Sequence, residues 1–112
     1  LAAGGRRVSA AVADFVHEAE MGYSRAELLS RLPSASAPFT VTRQTSGEYV
    51  LRDGDNAGAG YVALTMQAQT QRRLGAIALP VTRVRLEFFG FDAARFDAFM
   101  RRFKQYLHKG GG

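Results

Sequence analysis

Two histidines, ten carboxylates and fifteen basic side chains are the groups in this chain that could do chemistry, and there is no cysteine. The missing thiol removes nucleophilic cysteine chemistry, disulfides and Cys-ligated zinc or iron–sulfur sites. His17 and Glu20 stand three apart in a segment whose apolar spacing predicts a helix, so there they share a face and could supply two metal ligands. A bound metal needs three or four, and neither His-x-x-x-His nor a second His–acid pair occurs. His108 falls in the last turn expected of a C-terminal helix, where a cation suits the helix dipole. No Gly-x-Ser-x-Gly nucleophile elbow is present. Catalytic and metal residues are therefore assigned to none of these groups, and no cofactor is expected.

Two glycine-rich stretches raise further chemistry. In Asp53-Gly54-Asp55-Asn56-Ala57-Gly58-Ala59-Gly60 the glycines resemble those of a phosphate loop, but a P-loop ends in Gly-Lys-Ser/Thr and here Tyr61 and Val62 follow. As a calcium loop it lacks the third ligand, where Ala57 stands, and the closing glutamate, where Leu64 stands. A hairpin loop accounts for it. The tail Tyr106-Leu107-His108-Lys109-Gly110-Gly111-Gly112 ends in glycines like a sulfur-carrier or ubiquitin-like tail, but it leaves an amphipathic helix rather than a strand. Gly110 stands where a left-handed helix cap is expected, so the tail reads as a helix stop.

The bases remain. The net charge is +5, with thirteen Arg against two Lys. This arginine and alanine usage matches the codon bias of a GC-rich bacterial genome. The excess lies wholly in residues 60–112, where nine bases face three acids. Such a half could bind phosphates or acidic partners. Seven of the twelve aromatics fall between Phe88 and Tyr106, interleaved with Arg95, Arg101, Arg102 and Lys104. Interleaving of this kind can mean base stacking, yet the helical spacing of the phenylalanines assigns them to a core. The expected binding surface is thus Arg52, Tyr61, Arg83 and Arg85 on an open sheet face, with Arg101, Arg102 and Lys104 on the last helix. Thr40, Thr42, Thr65 and Gln67 could join that sheet face. Two nucleic-acid modules share parts of this order without their motifs. The last helix opens Phe91-Asp92-Ala93-Ala94-Arg95 without the lysine pair of a double-stranded-RNA-binding domain. Ser24–Leu32 offers only Arg25 and Arg31 as readers of a helix-turn-helix.

The elements that must position these residues follow from periodicity. Val8, Ala11, Val12, Phe15, Val16 and Ala19 recur at helical spacing and predict a helix over roughly 7–20. Ser24 with Glu27 is a capping box, Tyr23 and Leu28 stand at staple positions, and Pro33 is expected to end that second helix. After the small-residue linker 33–38 the period becomes two. Strands are predicted at 39–44, 48–53 and 61–69, a turn at 70–75, and a β-rich stretch at 76–89 that Pro80 bends or places at an edge. Asp92 caps a last helix carrying Phe96, Phe99, Met100, Phe103 and Leu107 on one stripe.

The expected fold is α+β: a two-layer, roughly four-stranded, mainly antiparallel sheet with N-terminal helices and a long C-terminal helix packed on it, in the order α-α-β-β-β-β-α. Residues 1–112 are expected to form a single domain, with 1–5 and 110–112 as flexible ends. No apolar run reaches the ~18 residues of a membrane helix, so no membrane partner is expected, and the lack of cysteine fits a cytoplasmic setting. The expected function is non-enzymatic binding of a protein or acidic polymer through a cationic surface. Nucleic-acid binding by the sheet face and C-terminal helix is the alternative, and a small enzyme with a non-obvious pocket the third. Oligomeric state leaves no trace in this sequence.

Overall fold

Alternating apolar and polar side chains, rather than helical stripes, organise most of the chain. The computed structural model describes residues 12–56 and 58–107. They run β1 (Phe15–Met21), α1 (Arg25–Ala35), β2 (Phe39–Thr45), β3 (Glu48–Asp53), β4 (Tyr61–Met66), β5 (Thr70–Leu74), β6 (Ile77–Phe89) and α2 (Ala93–Tyr106). The class is α+β with a mainly antiparallel sheet, in the order β1-β6-β4-β3-β2, with β5 pairing β6 beyond this path.

The helix expected over 7–20 is corrected. From Phe15 on it is strand β1, in which Phe15, His17, Ala19 and Met21 turn towards the core while Val16, Glu18 and Glu20 turn away. The sequence satisfies both periods there. Antiparallel pairing with β6 decides the matter, setting Glu18 opposite Arg85 and Glu20 opposite Arg83. Residues 7–11 of that expected helix lie outside the described residues, as do the ends 1–5 and 110–112. The element order therefore becomes β-α-β-β-β-β-β-α, and the strand count rises to six.

Two smaller corrections follow. Pro33 does not end α1, which continues to Ala35 because Leu28, Leu32 and Ala35 bury one face. The turn expected at 70–75 is instead strand β5, joined to β6 by Gly75 and Ala76, with Gly75 at φ +62°. Glycine leads in the first position of such two-residue hairpin turns.

One face of the sheet carries the core. Leu51, Val62, Leu64, Leu86 and Phe88 are buried beneath Leu28 and Leu32 of α1 and Phe99, Met100 and Phe103 of α2. Phe88 sits edge-on to Phe91, Phe96 and Phe99, and Phe96 stacks on Phe15 at 4.4 Å. The stripe expected on the last helix is the one that packs. Both helices are capped as expected: Ser24 accepts from Glu27 N while Glu27 accepts from Ser24 N, and Asp92 accepts from Arg95 N. Thr82, buried in β6, donates to the Tyr23 carbonyl at 2.9 Å and ties the start of α1 to the sheet.

Candidate functional site

The other face of the sheet is covered by no described element. Its side chains form rows across the strands. Phe89, Tyr61, Arg52 and Thr40 make one row; Val16, Glu87, Ala63, Val50 and Thr42 the next; Glu18, Arg85, Thr65 and Glu48 a third; Glu20 and Arg83 a fourth. Tyr61 stacks on Phe89 at 4.8 Å, and the Arg52 guanidinium lies 4.8 Å from the Tyr61 ring centre.

Arg52, Tyr61, Arg83 and Arg85 thus share one face, together with Thr40, Thr42 and Thr65. Their charge is met by acids that the helical reading of residues 7–20 had placed elsewhere. Arg83 pairs with Glu20 at 3.0 Å, and Arg85 bonds both Glu18 and Glu87. The hydrogen bond that Arg85 donates to Glu18, with a further one donated to Glu87, raises the Arg85 pKa above the ordinary arginine value. Arg52, Arg83 and Arg85 face Glu18, Glu20, Glu48 and Glu87, so this face carries more acid than base. Exposed pairs of this kind contribute little stability each, but they fix which side chains remain free for a partner.

Arg101, Arg102 and Lys104 do not join this surface. They lie on α2, on the opposite side of the sheet. Arg101 and Lys104 are exposed, while Arg102 Nε donates to the Ser34 carbonyl at 2.8 Å and its guanidinium covers Tyr106. The seven expected binding residues therefore divide between two faces of the molecule, four on the open sheet face and three on α2.

The weaker chemical candidates also change. His17 and Glu20 sit on opposite faces of β1, because a strand separates residues three apart that a helix would bring together. His17 points towards α2, where burial and then the charge of Lys104 lower its pKa. Among the described residues, no three His, Cys, Asp or Glu side chains come together as a metal site. His108, Lys109 and the terminal glycines lie outside the described residues.

The glycine loop has a packing role. A Cβ on Gly60 would overlap the Phe89 carbonyl oxygen and meet Gly90, itself at φ +77°. Asp53 at its start accepts from Asp55 N and stands 3.6 Å from Arg95, whose guanidinium also bonds the Ala59 carbonyl and lies over Phe91. Beside Arg95, a cleft of ≈ 150 Å³ runs between Pro38, Phe39, Phe99 and Arg102. It is small against the ~300–1,000 Å³ of ordinary ligand pockets.

The sequence reading missed the feature that stands out most. Over Ile77–Val81, before it enters the body of the sheet, β6 pairs only with β5, forming a two-stranded arm whose β5 residues are all exposed. Gln67 N bonds the Arg83 carbonyl, so β4 and β5 follow the same edge of β6, with one extra residue between their registers. That bulge brings Thr70, Arg72 and Leu74 onto the face of Ile77, Leu79 and Val81, continuous with the outer sheet face. The Arg72–Glu20 pair at 3.3 Å fits this alignment. Leu74, Ile77 and Leu79 are 56, 60 and 41 % exposed. The signal was present in the sequence as Thr70–Leu74 and Ile77–Val81 flanking Gly75 and Ala76, a stretch for which the sequence reading gives a turn over 70–75. No protein-family model, curated protein or solved structure matches this chain.

Proposed function

We propose that this chain is a non-catalytic binding domain that engages a protein partner through the β5–β6 arm and the adjoining outer sheet face. The observation that carries this reading is the cluster of Leu74, Ile77 and Leu79 on one side of an arm that nothing else in the described chain covers. Large aliphatic side chains gain about 1.5–3 kcal/mol each on full burial, a gain left unrealised here until a partner supplies the other surface. On the face of Leu74, Ile77 and Leu79 the arm's base, Arg72, is already paired with Glu20, so the patch offers a partner apolar surface rather than free charge.

The test is replacement of Ile77 and Leu79 by Asp in the full chain, followed by chemical cross-linking in the native host. The melting temperature should stay close to wild type, because exposed positions rarely cost more than about 0.5 kcal/mol. Cross-linked species seen with wild type should disappear. If every cross-linked species survives the double substitution, the arm is not the binding element.

Nucleic-acid binding is the second reading, favoured by exposed Arg101 and Lys104 on α2. It predicts a mobility shift that weakens steeply as salt rises. The same shift in a double variant Arg101→Glu, Lys104→Glu would sink it.

A further inference from the structure

We infer that the cleft between α2 and the linker from α1 to β2 is a ligand site for a monocarboxylate carried on one compact apolar group, such as a phenyl ring. The site lies on the helical side of the sheet and does not depend on the arm.

One stretch of α2 supplies both its apolar floor and its charge. Arg95, Ala98, Phe99 and Arg102 follow at i, i+3, i+4 and i+7, so they share a helix face, with the two arginine Cα atoms about 10 Å apart along the axis. Pro38 and Phe39 close the cleft from the other side. The two arginines differ in what they leave free. Arg95 bonds the Ala59 carbonyl and stands 3.6 Å from Asp53, and its Nη2 is closed off from solvent, so it is a wall whose charge is already met. None of the described ion pairs reaches Arg102. Its Nε donates to the Ser34 carbonyl at 2.8 Å, and its guanidinium lies 4.6 Å from the Tyr106 ring centre, which holds the planar fork in place. No described residue accepts from its Nη1 or Nη2. A held fork with two open donors matches the two oxygens of a carboxylate, and little side-chain freedom remains to be lost on binding.

The rest of the lining decides what carries that carboxylate. Ser36 is the other polar side chain, and its buried hydroxyl already donates to the Leu32 carbonyl at 2.8 Å. No side chain is left to bond a ligand hydroxyl or a second charge, so a sugar, a nucleotide or a diacid would bury polar groups without partners there. The volume of ≈ 150 Å³ holds one ring, since an engineered apolar cavity of about that size binds benzene. Phe39 and Phe99, edge-on to one another at 5.3 Å, present the aromatic surface that such a ring packs against.

Amide chemical shifts of the isotope-labelled full chain, titrated with phenylpropionate, test the site. Saturable shifts are expected at residues 35–39 and 98–102 and not at 70–81, with a dissociation constant of about 1 mM or below, within reach of a ligand this small. Phenylpropanol, with the same ring and no charge, should bind at least tenfold more weakly, and inorganic phosphate should not displace the acid. Arg102→Gln should raise the dissociation constant at least tenfold. Ala98→Leu should do the same, because it fills the cleft from an exposed position and leaves Arg102 in place. The double variant Ile77→Asp, Leu79→Asp should bind as wild type does, which separates this site from the arm. A tripeptide ending in phenylalanine with a free carboxylate identifies the source of the acid: tighter binding than phenylpropionate assigns the site to a chain terminus, and weaker binding to a free small acid. The inference is overturned if neither carboxylate gives saturable shifts, or if the alcohol binds as tightly as the acid. Binding indifferent to both Arg102→Gln and Ala98→Leu, or shifts that saturate at residues 70–81 instead, overturn it as well.

Discussion

At the scale of single residues, backbone freedom and burial matter more than the groups whose chemistry first draws notice. Gly60 adopts φ +90° and packs against the backbone of Phe89 and Gly90, so no other residue fits without moving the turn between β6 and α2. Gly60→Ala should cost at least about 2 kcal/mol in denaturant unfolding. Gly58→Ala, in the same loop with open space around it, should be close to neutral. Equal losses at both would refute the close approach. His17 gives a pH prediction. Burial and Lys104 hold its pKa below the ordinary 6.5, so the folded state keeps a neutral imidazole. The unfolded chain takes up the proton first as pH falls, and stability is therefore lost progressively below about pH 6.5. Thermal melts between about pH 7.5 and 5.5 should show this decline in wild type, and His17→Gln should reduce it.

At the scale of elements, local sequence signals account for the helices and long-range pairing accounts for the sheet's edge. The Ser24–Glu27 capping box starts α1, and the Gln69 side chain accepts from Arg25 N in the same first turn. Ser24→Ala should destabilise the protein by about 1 kcal/mol, with Ser24→Asp close to wild type; urea titrations would measure both. If alanine were harmless, the reciprocal cap would not be contributing. Strand β1 shows the opposite case. Phe15, Val16 and Ala19 fit a helical stripe as well as an alternating strand, and nothing within the segment discriminates between them. The discrimination comes from β6, across which Asp14 also closes the ladder by accepting from Gly90 N at 2.6 Å and Phe91 N at 3.2 Å.

At the scale of the whole molecule, the sheet has two faces with different tasks. One is filled by α1 and α2. Phe103 is 1 % exposed, so Phe103→Ala should cost about 3–5 kcal/mol in a thermal or chemical melt. Ile77, 60 % exposed in the arm, should tolerate alanine with almost no change. A comparable loss at both positions would mean that the arm is packed in the isolated chain. The molecule measures 48 × 34 × 21 Å along its principal axes. None of its helices is long and apolar enough to cross a membrane among the described residues.

By itself the sequence determined the α+β class, the capping box of α1, the hairpins from Phe39 to Met66, and α2 with its buried stripe. Each is written in local periodicity or in a cap within one turn, and local energies suffice to decide them. Tertiary structure alone decided three things. It turned the first segment into an edge strand, it neutralised Arg83 and Arg85 with Glu18 and Glu20 drawn from far along the chain, and it carried β6 past the body to strand Leu74 and Ile77 in solvent. All three depend on pairings between distant residues, whose register no local pattern encodes.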